Sequence, residues 1–229
     1  MMWFDFHVHT RYSYDSLMSI KKMIKIAIKK GLSGFAVVDH DVFSKKFIIN
    51  KINNINKNFF ILFGMEIKTE WGDLIALHID EEIKSRVFLE CIDEIKEKGG
   101  ISVLPHPYRG HNMKYIDKMI ESVDWIEIWN ARSSLKQNNQ SLKYKDIKPY
   151  TVGSDAHFYK EIGLASLGLK DFESLDDLIS SVEKSKPVFK KYVSPRRMHY
   201  YSSMIGTVRT GRYEDLFRNT IRKIKEENS

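Results

Sequence analysis

The chain has 229 residues, of which 42% are hydrophobic and 29% charged, with a formal net charge of +7. A chain of this length can bury a core without cross-links, and its single cysteine, Cys91, excludes a disulfide framework and a cysteine-rich zinc module. No apolar run reaches the roughly 18 residues of a membrane span, and the opening MMWFDFHVHT lacks the pattern of a signal peptide. The composition therefore predicts a soluble, cytoplasmic protein that does not bind membranes.

Short β-branched and aromatic runs alternate along the chain with segments of helical period. The runs predict seven strands, at 3–9, 34–40, 59–67, 73–79, 101–107, 124–130 and 150–157. Apolar residues at helical spacing predict helices through 17–27, 88–95 and 175–182. The third and fourth strands are close enough to pair as a hairpin across Trp71-Gly72. The alternation indicates βαβ units and a largely parallel α/β sheet, and seven strands in this length suit a barrel.

Basic residues are concentrated in the last part of the chain. Residues 195–229 contain eight basic and four acidic side chains, whereas the preceding part is nearly balanced. We divide the chain into a barrel domain, 1–194, and a basic C-terminal extension, 195–229. The spacing of apolar residues in the extension predicts an amphipathic helix, which we expect to dock on the barrel or on another subunit of a homo-oligomer. Its apolar face consists of Tyr213, Phe217, Ile221 and Ile224.

Histidines and carboxylates follow the predicted strands in an unusual number. Nine of them lie at or near strand ends, namely His7, His9, Asp15, His40, Glu66, His78, His106, Asp155 and His157. The C-terminal ends of parallel strands in a barrel meet on one rim, where active sites are built. A lone strand-end histidine is more often structural, but nine such side chains together predict a centre for Zn, Mn or Fe. His111 and His199 fall outside the pattern, and we interpret His111 as a loop residue and place His199 outside the site.

Six segments resemble the successive motifs of the PHP superfamily, named for polymerase and histidinol phosphatase. They are D-F-H-V-H-T-x-x-S-x-D-S (5–16), V-V-D-H-D (37–41), G-M-E (64–66), L-H (77–78), P-H-P (105–107) and G-S-D-A-H (153–157). The match runs in order over about residues 1–190. The resemblance implies a distorted (β/α)7 barrel, with two or three divalent metal ions at the C-terminal rim of the strands, that hydrolyses phosphoesters.

The resemblance also implies which side chains share an ion. His7, His9, Glu66 and Asp155 would hold one ion. Glu66 would bridge to a second ion held also by His78 and His106, and a third would be held by Asp15, His40 and His157. Histidine also occurs in the family at the position of Asp15, and a carboxylate there favours Mn, Fe or a weaker third site. In this respect the chain resembles small phosphatases that act on nucleoside bisphosphates and short oligonucleotides.

Phosphate binding calls for a guanidinium near the ions, because a bidentate arginine matches the phosphate oxygens. Arg109 follows the P-H-P segment, Arg132 follows the sixth strand, and Arg11 lies two residues beyond His9. Arg132 is the strongest candidate, because its E-x-x-N-x-R run (127–132) also recurs in PHP relatives.

We therefore predict a metal-dependent phosphatase for a small phosphorylated metabolite, with a nucleoside 3′,5′-bisphosphate or a short oligonucleotide as a plausible substrate. Histidinol phosphate is the alternative substrate. Two other classes stay open, namely a 3′–5′ exonuclease or other nucleic-acid-processing protein, and a non-catalytic scaffold that binds metal. The complete ligand set argues against the scaffold.

Overall fold

A curved sheet of nine strands forms the centre of the computed structural model, which describes residues 1–52, 58–184 and 187–211. The strands are β1 (Met2–Val8), β2 (Leu32–His40), β3 (Phe60–Lys68), β4 (Asp73–Leu77), β5 (Ile101–Leu104), β6 (Trp125–Asn130), β7 (Tyr150–Gly153), β8 (Ala165–Leu169) and β9 (Val188–Lys191). The helices are α1 (Ile20–Lys29), α2 (Lys45–Ile48), α3 (Phe88–Glu97), α4 (Ile116–Ser122), α5 (Leu135–Ser141), α6 (Leu175–Lys184) and α7 (Arg196–Thr210). No helix among these residues is long and apolar enough to cross a membrane.

The strands lie in the order β7-β6-β5-β4-β3-β2-β1-β8-β9. Neighbours are parallel except that β4 runs antiparallel to β3 and β5, and β8 runs antiparallel to β1 and β9. The sheet curls until β7 comes beside β1, where Val8 and Ala156 form an isolated parallel bridge. The fold is thus the distorted, nearly closed barrel that the sequence predicts. Seven of the nine described strands, all except β4 and β8, run in one direction and end on one rim.

The core includes buried side chains inside the barrel and the buried faces of the helices packed outside it. Inside, the aromatic rings of Phe4 and Phe6 pack 4.7 Å apart, and Phe6 meets Trp125 edge-on. Outside, α1 buries an apolar stripe that includes Met23 and Ala27, as its helical period predicts. The predicted start of this helix at Leu17 is wrong, because α1 begins at Ile20 and the Leu17 side chain is exposed.

Two strands, β8 and β9, were not predicted from the sequence. The first is short and interrupted by Gly168, and the second is an edge strand with exposed ends, so neither has the long alternating pattern that marks a strand. The polypeptide then passes Ser194, whose backbone N–H donates to the Ala131 carbonyl at 2.6 Å, and enters α7. The predicted amphipathic helix through Tyr213 lies outside the described residues.

Candidate metal centre

Eight of the nine predicted ligand side chains come together at the C-terminal rim. They are His7, His9, Asp15, His40, Glu66, His106, Asp155 and His157, and they fall into three adjoining groups. Seven of them are buried, whereas the His40 side chain is 20% exposed. The strands β1, β2, β3, β5 and β7 deliver them because all five run in the same direction towards this rim.

The innermost group has the dimensions of a single ion site. His7 Nε2 lies 3.0 Å from His9 Nε2 and 3.3 Å from Glu66 Oε2. His9 Nε2 lies 3.4 Å from that oxygen and 3.3 Å from Asp155 Oδ1. Ligand atoms about 2.0–2.1 Å from a tetrahedral ion stand roughly 3.3 Å apart. Two imidazoles and two carboxylates therefore fit one divalent ion here.

The outer group contains an unsatisfied polar atom that an ion would explain. His157 Nε2 lies 2.9 Å from Asp15 Oδ2, and His40 Nε2 lies 3.6 Å from the same oxygen. Asp15 Oδ1 is nevertheless buried with no hydrogen-bond partner among the described residues. A buried polar atom without a partner costs about 1–3 kcal/mol. A cation shared by these side chains would remove that cost.

The third group differs from the sequence assignment. His106 Nε2 lies 3.1 Å from Glu66 Oε1, and Asp73 offers an oxygen within 4.8 Å of both side chains. His78 does not join them, so its predicted place in the cluster is wrong. Because β4 runs antiparallel to β3, Asp73 at its start stands beside Lys68 at the rim, while His78 follows its opposite end. There His78 is 3.7 Å from Asp176.

Exchanging Asp73 for Asn is expected to weaken the binding of one ion and to lower turnover about 10- to 100-fold, the range seen when the surroundings of a metal are disturbed. His78→Asn is the matched control, since His78 has φ 55° and Asn tolerates that backbone. Metal analysis and steady-state kinetics check both variants. A greater loss in His78→Asn than in Asp73→Asn would restore His78 to the site.

Further buried carboxylates orient the candidate ligands. The Nδ1–H of His7 donates to Glu127 Oε1 at 3.0 Å, and the backbone N–H of His106 donates to Glu127 Oε2 at 2.9 Å. On the other side, Ser13 Oγ is 3.0 Å from His9 Nδ1 and donates to Asp39 Oδ1 at 2.9 Å. Such partners fix the ring orientation of metal-binding histidines. Sequence reasoning did not give Glu127 this role, although the residue begins the E-x-x-N-x-R run.

The charges of the innermost group are mutually dependent. Burial opposes a charge on His7, but the surrounding carboxylates, led by Asp155, raise its pKa well above the ordinary value. Burial and the neighbouring histidines lower the pKa of His9 well below the ordinary value. Burial likewise opposes ionisation of Glu66, yet the adjacent histidines hold its pKa well below the usual range. In the metal-free cluster, the proton on His7 thus supplies the positive charge that a metal cation would supply. The neutral His9 ring keeps a free lone pair.

Two candidate ligands sit on strained backbone. His106 has φ 33° and Asp155 has φ 52°, in the left-handed region that residues other than glycine rarely adopt. At Asp155 the neighbouring chain is anchored, because the backbone N–H of Ser154 donates to Asp5 at 2.8 Å. Burial raises the pKa of the Asp5 carboxyl to about 6. Such strain clusters at functional sites, in agreement with the candidate site.

A cavity of about 390 Å³ opens over the three groups. Arg109 lines it, donating to Asp155 and, at 2.9 Å, to Asn130 Oδ1. Arg132 also lines it and is buried, with Nη1 2.7 Å from His157 Nδ1. Both predicted arginines therefore stand beside candidate ligands.

The other residues singled out in the sequence are placed differently. Arg11 is exposed and does not line the cavity. His111 also lies outside its lining, and its Nε2–H donates to the Pro105 carbonyl at 2.8 Å. His199 was expected outside the site, but it lines the cavity from α7 together with Ser202. No local pattern could show this, because it depends on where α7 docks.

Fold and cluster together define the class, a metal-dependent hydrolase built on a distorted α/β barrel. The sequence profile of the PHP domain matches residues 5–209. The chain belongs to this family, which confirms the resemblance seen in its motifs.

The chain is similar in sequence or in structure to proteins from several microorganisms. The chain is 31% identical over 188 residues to an uncharacterised protein of Methanocaldococcus jannaschii. The matched region covers 76% of this chain and 74% of the relative. PsfC from Pseudomonas syringae PB-5123 has a similar structure, with a TM-score of 0.66 at 17% identity over 90% of this chain and 98% of PsfC. A two-domain protein from Bacteroides vulgatus, described as containing a predicted PHP-like metal-dependent phosphoesterase, gives 0.65 at 14% identity over 89% of this chain and 69% of that protein. These two structures share the fold.

Proposed function

We propose that the protein is a phosphatase that removes phosphate from a small metabolite at this centre. One observation carries the proposal, namely three adjoining groups of metal-binding side chains that face one cavity together with two guanidinium groups. The ligands would be Asp73 and the eight clustered residues, holding two or three Mn, Zn or Fe ions. When bound, the ions would supply an activated water and neutralise charge on the phosphate and leaving oxygens.

The two arginines would bind the phosphate. The planar N–H groups of a guanidinium match the oxygens of a phosphate. Arg109 is held by Asp155 and Asn130, and Arg132 by His157 and Ser202. Because both line the cavity beside candidate ligands, they would orient the phosphate and contribute charge stabilisation that is present before the reaction begins.

The leaving group would face α7. Burial, together with Arg132 and Arg109, lowers the pKa of His199 to about 4. The imidazole is therefore neutral at pH 7, so it can donate or accept one hydrogen bond without bringing a further charge. Ser202 and Ser203 add hydroxyl groups to the same wall. This wall suits a hydroxylated leaving group such as a sugar.

A groove of about 730 Å³ continues from the cavity and favours an anionic substrate. It shares Arg109, Arg132 and His199 with the cavity. It is also lined by Arg196 and Lys136 and by the side chains of Leu135 and Tyr200. A nucleoside 3′,5′-bisphosphate or short oligonucleotide would place its second phosphate near the added cations. Histidinol phosphate carries an ammonium group there, which this groove would repel.

A panel of phosphate esters tests the proposal. We expect phosphate release from a nucleoside 3′,5′-bisphosphate to exceed release from histidinol phosphate at least tenfold in kcat/KM. Arg196→Ala should raise KM for the bisphosphate about fivefold, the size of an exposed ion pair, and leave a nucleoside monophosphate unaffected. Arg197→Ala removes the same charge from an exposed neighbouring position and is the control.

The same preparation separates the alternatives. A preference for histidinol phosphate would contradict the assignment of the groove. Degradation of long single-stranded DNA, with a salt-dependent electrophoretic shift, would favour an exonuclease. Absence of hydrolysis from every ester by metal-replete protein would refute the proposed function.

A further inference from the structure

The inward face of α7 completes the cavity wall over the metal-binding groups. The residues that line the cavity from this helix are His199, Ser202, Ser203, Gly206, Thr207 and Thr210. Gly206 allows the close approach, because a Cβ there would stand 3.0 Å from the ring of Tyr14 and 3.2 Å from Asp15 Cβ. The helix therefore packs directly on the loop that carries a candidate ligand.

Arg209 ties the end of this helix to the same loop, residues 11–16. Its Nη1 donates to the carbonyl oxygens of Ser13 at 2.7 Å and Ser16 at 2.9 Å, and its Nη2 donates to that of Arg11 at 3.0 Å. A planar guanidinium has several donors in fixed directions, whereas lysine has a single ammonium group on a flexible stem. Three carbonyls of one short loop are thus held by one rigid side chain nearly 200 residues away.

The held loop carries two side chains of the centre. Ser13 contacts His9 Nδ1 and Asp39, so it sets the orientation of the His9 ring. Asp15 reaches the outer group, where its carboxylate faces His157 and His40. In sequence, Asp15 lies between Ser13 and Ser16, whose carbonyl oxygens both accept from Arg209. The backbone position of Asp15 therefore depends on that contact.

We propose that Arg209 is a positioning residue, which fixes loop 11–16 through its carbonyl groups and thereby sets the affinity of the outer group (Asp15, His40, His157) for its ion. None of the four innermost side chains, His7, His9, Glu66 and Asp155, lies on this loop, which reaches that group only through the contact of Ser13 with His9. Loss of Arg209 should therefore weaken the outer ion selectively. The inference rests on the proposed metal centre, but not on the identity of the substrate.

Calorimetric titration of metal-depleted full-length protein with Mn²⁺ tests this inference. In Arg209→Ala we expect the weakest Mn²⁺ site to lose at least tenfold in affinity, while the tightest site stays within threefold of the wild type. Arg209→Lys keeps the charge but loses the planar guanidinium. The affinity of its weakest Mn²⁺ site should lie between those of the wild type and Arg209→Ala. Arg197→Ala removes an exposed arginine from the same helix and should match the wild type.

The outcomes are distinguishable. Wild-type isotherms for Arg209→Ala would overturn the inference and leave the metal centre intact. Equal weakening of all sites would also overturn it, because it would indicate a general structural role. If Arg209→Ala does not fold, Arg209→Lys decides by the same criteria. Failure of the wild type to bind Mn²⁺, Zn²⁺ or Fe²⁺ would refute the metal centre together with the inference.

Discussion

Asp155→Asn is expected to lower turnover by about 10³-fold or more and to release an ion from the innermost group. The substitution keeps the shape of the side chain but removes its charge. Asp155 Oδ1 faces the imidazole nitrogen of His9, and its other oxygen accepts from Arg109. Disturbing only the surroundings of metal ligands costs about 10- to 100-fold, so removing the charge of a buried ligand should cost more. Phosphate release and elemental analysis on the same sample measure both effects.

Asp124→Asn is the matched control for this exchange. Asp124 accepts hydrogen bonds from the N–H and hydroxyl of Ser102, but it lies before β6, at the end of the barrel opposite the site. This variant should retain full metal content and turnover. Near wild-type turnover in Asp155→Asn would remove Asp155 from the centre.

Removal of metal is expected to abolish hydrolysis completely and to lower the melting temperature. The purified protein should carry two or three divalent transition ions per chain. An ion at 1,000 times its dissociation constant contributes about 4 kcal/mol to stability, and about 2–4 °C accompanies each kcal/mol in a domain of this size. Each ion should therefore raise the melting temperature by roughly 8–16 °C. Scanning calorimetry before and after chelation measures the shift.

Restoration by added Mn, Zn or Fe is the control for irreversible damage. Ion uptake should also release protons near neutral pH, because His7 holds a proton with a raised pKa in the metal-free cluster. Binding should accordingly weaken as the pH falls, which titration at several pH values would show. Full activity with less than about one ion per chain would contradict this prediction.

Much of the fold and most of the site could be predicted because the sequence patterns that indicate them lie within single strands or helices. A histidine at the end of a parallel strand reaches the rim whatever the details of the barrel, so His40 and His106 were placed correctly. His78 was not, because the hairpin turn before β4 reverses the strand and exchanges its two ends. Following that hairpin through would have brought Asp73 to the rim. Arg209 acts across nearly the whole chain, and nothing in its own neighbourhood marks it.

The pairing of β1 with distant strands has a consequence for biosynthesis. Asp5 in β1 accepts from Ser154, 149 residues later. At about 5–20 residues per second, the ribosome needs roughly 7–30 s to make that stretch. During synthesis, His7 is therefore part of an incomplete barrel until Asp155 has been made. The ion site cannot guide early folding. Metal uptake at the innermost group therefore follows the assembly of the barrel.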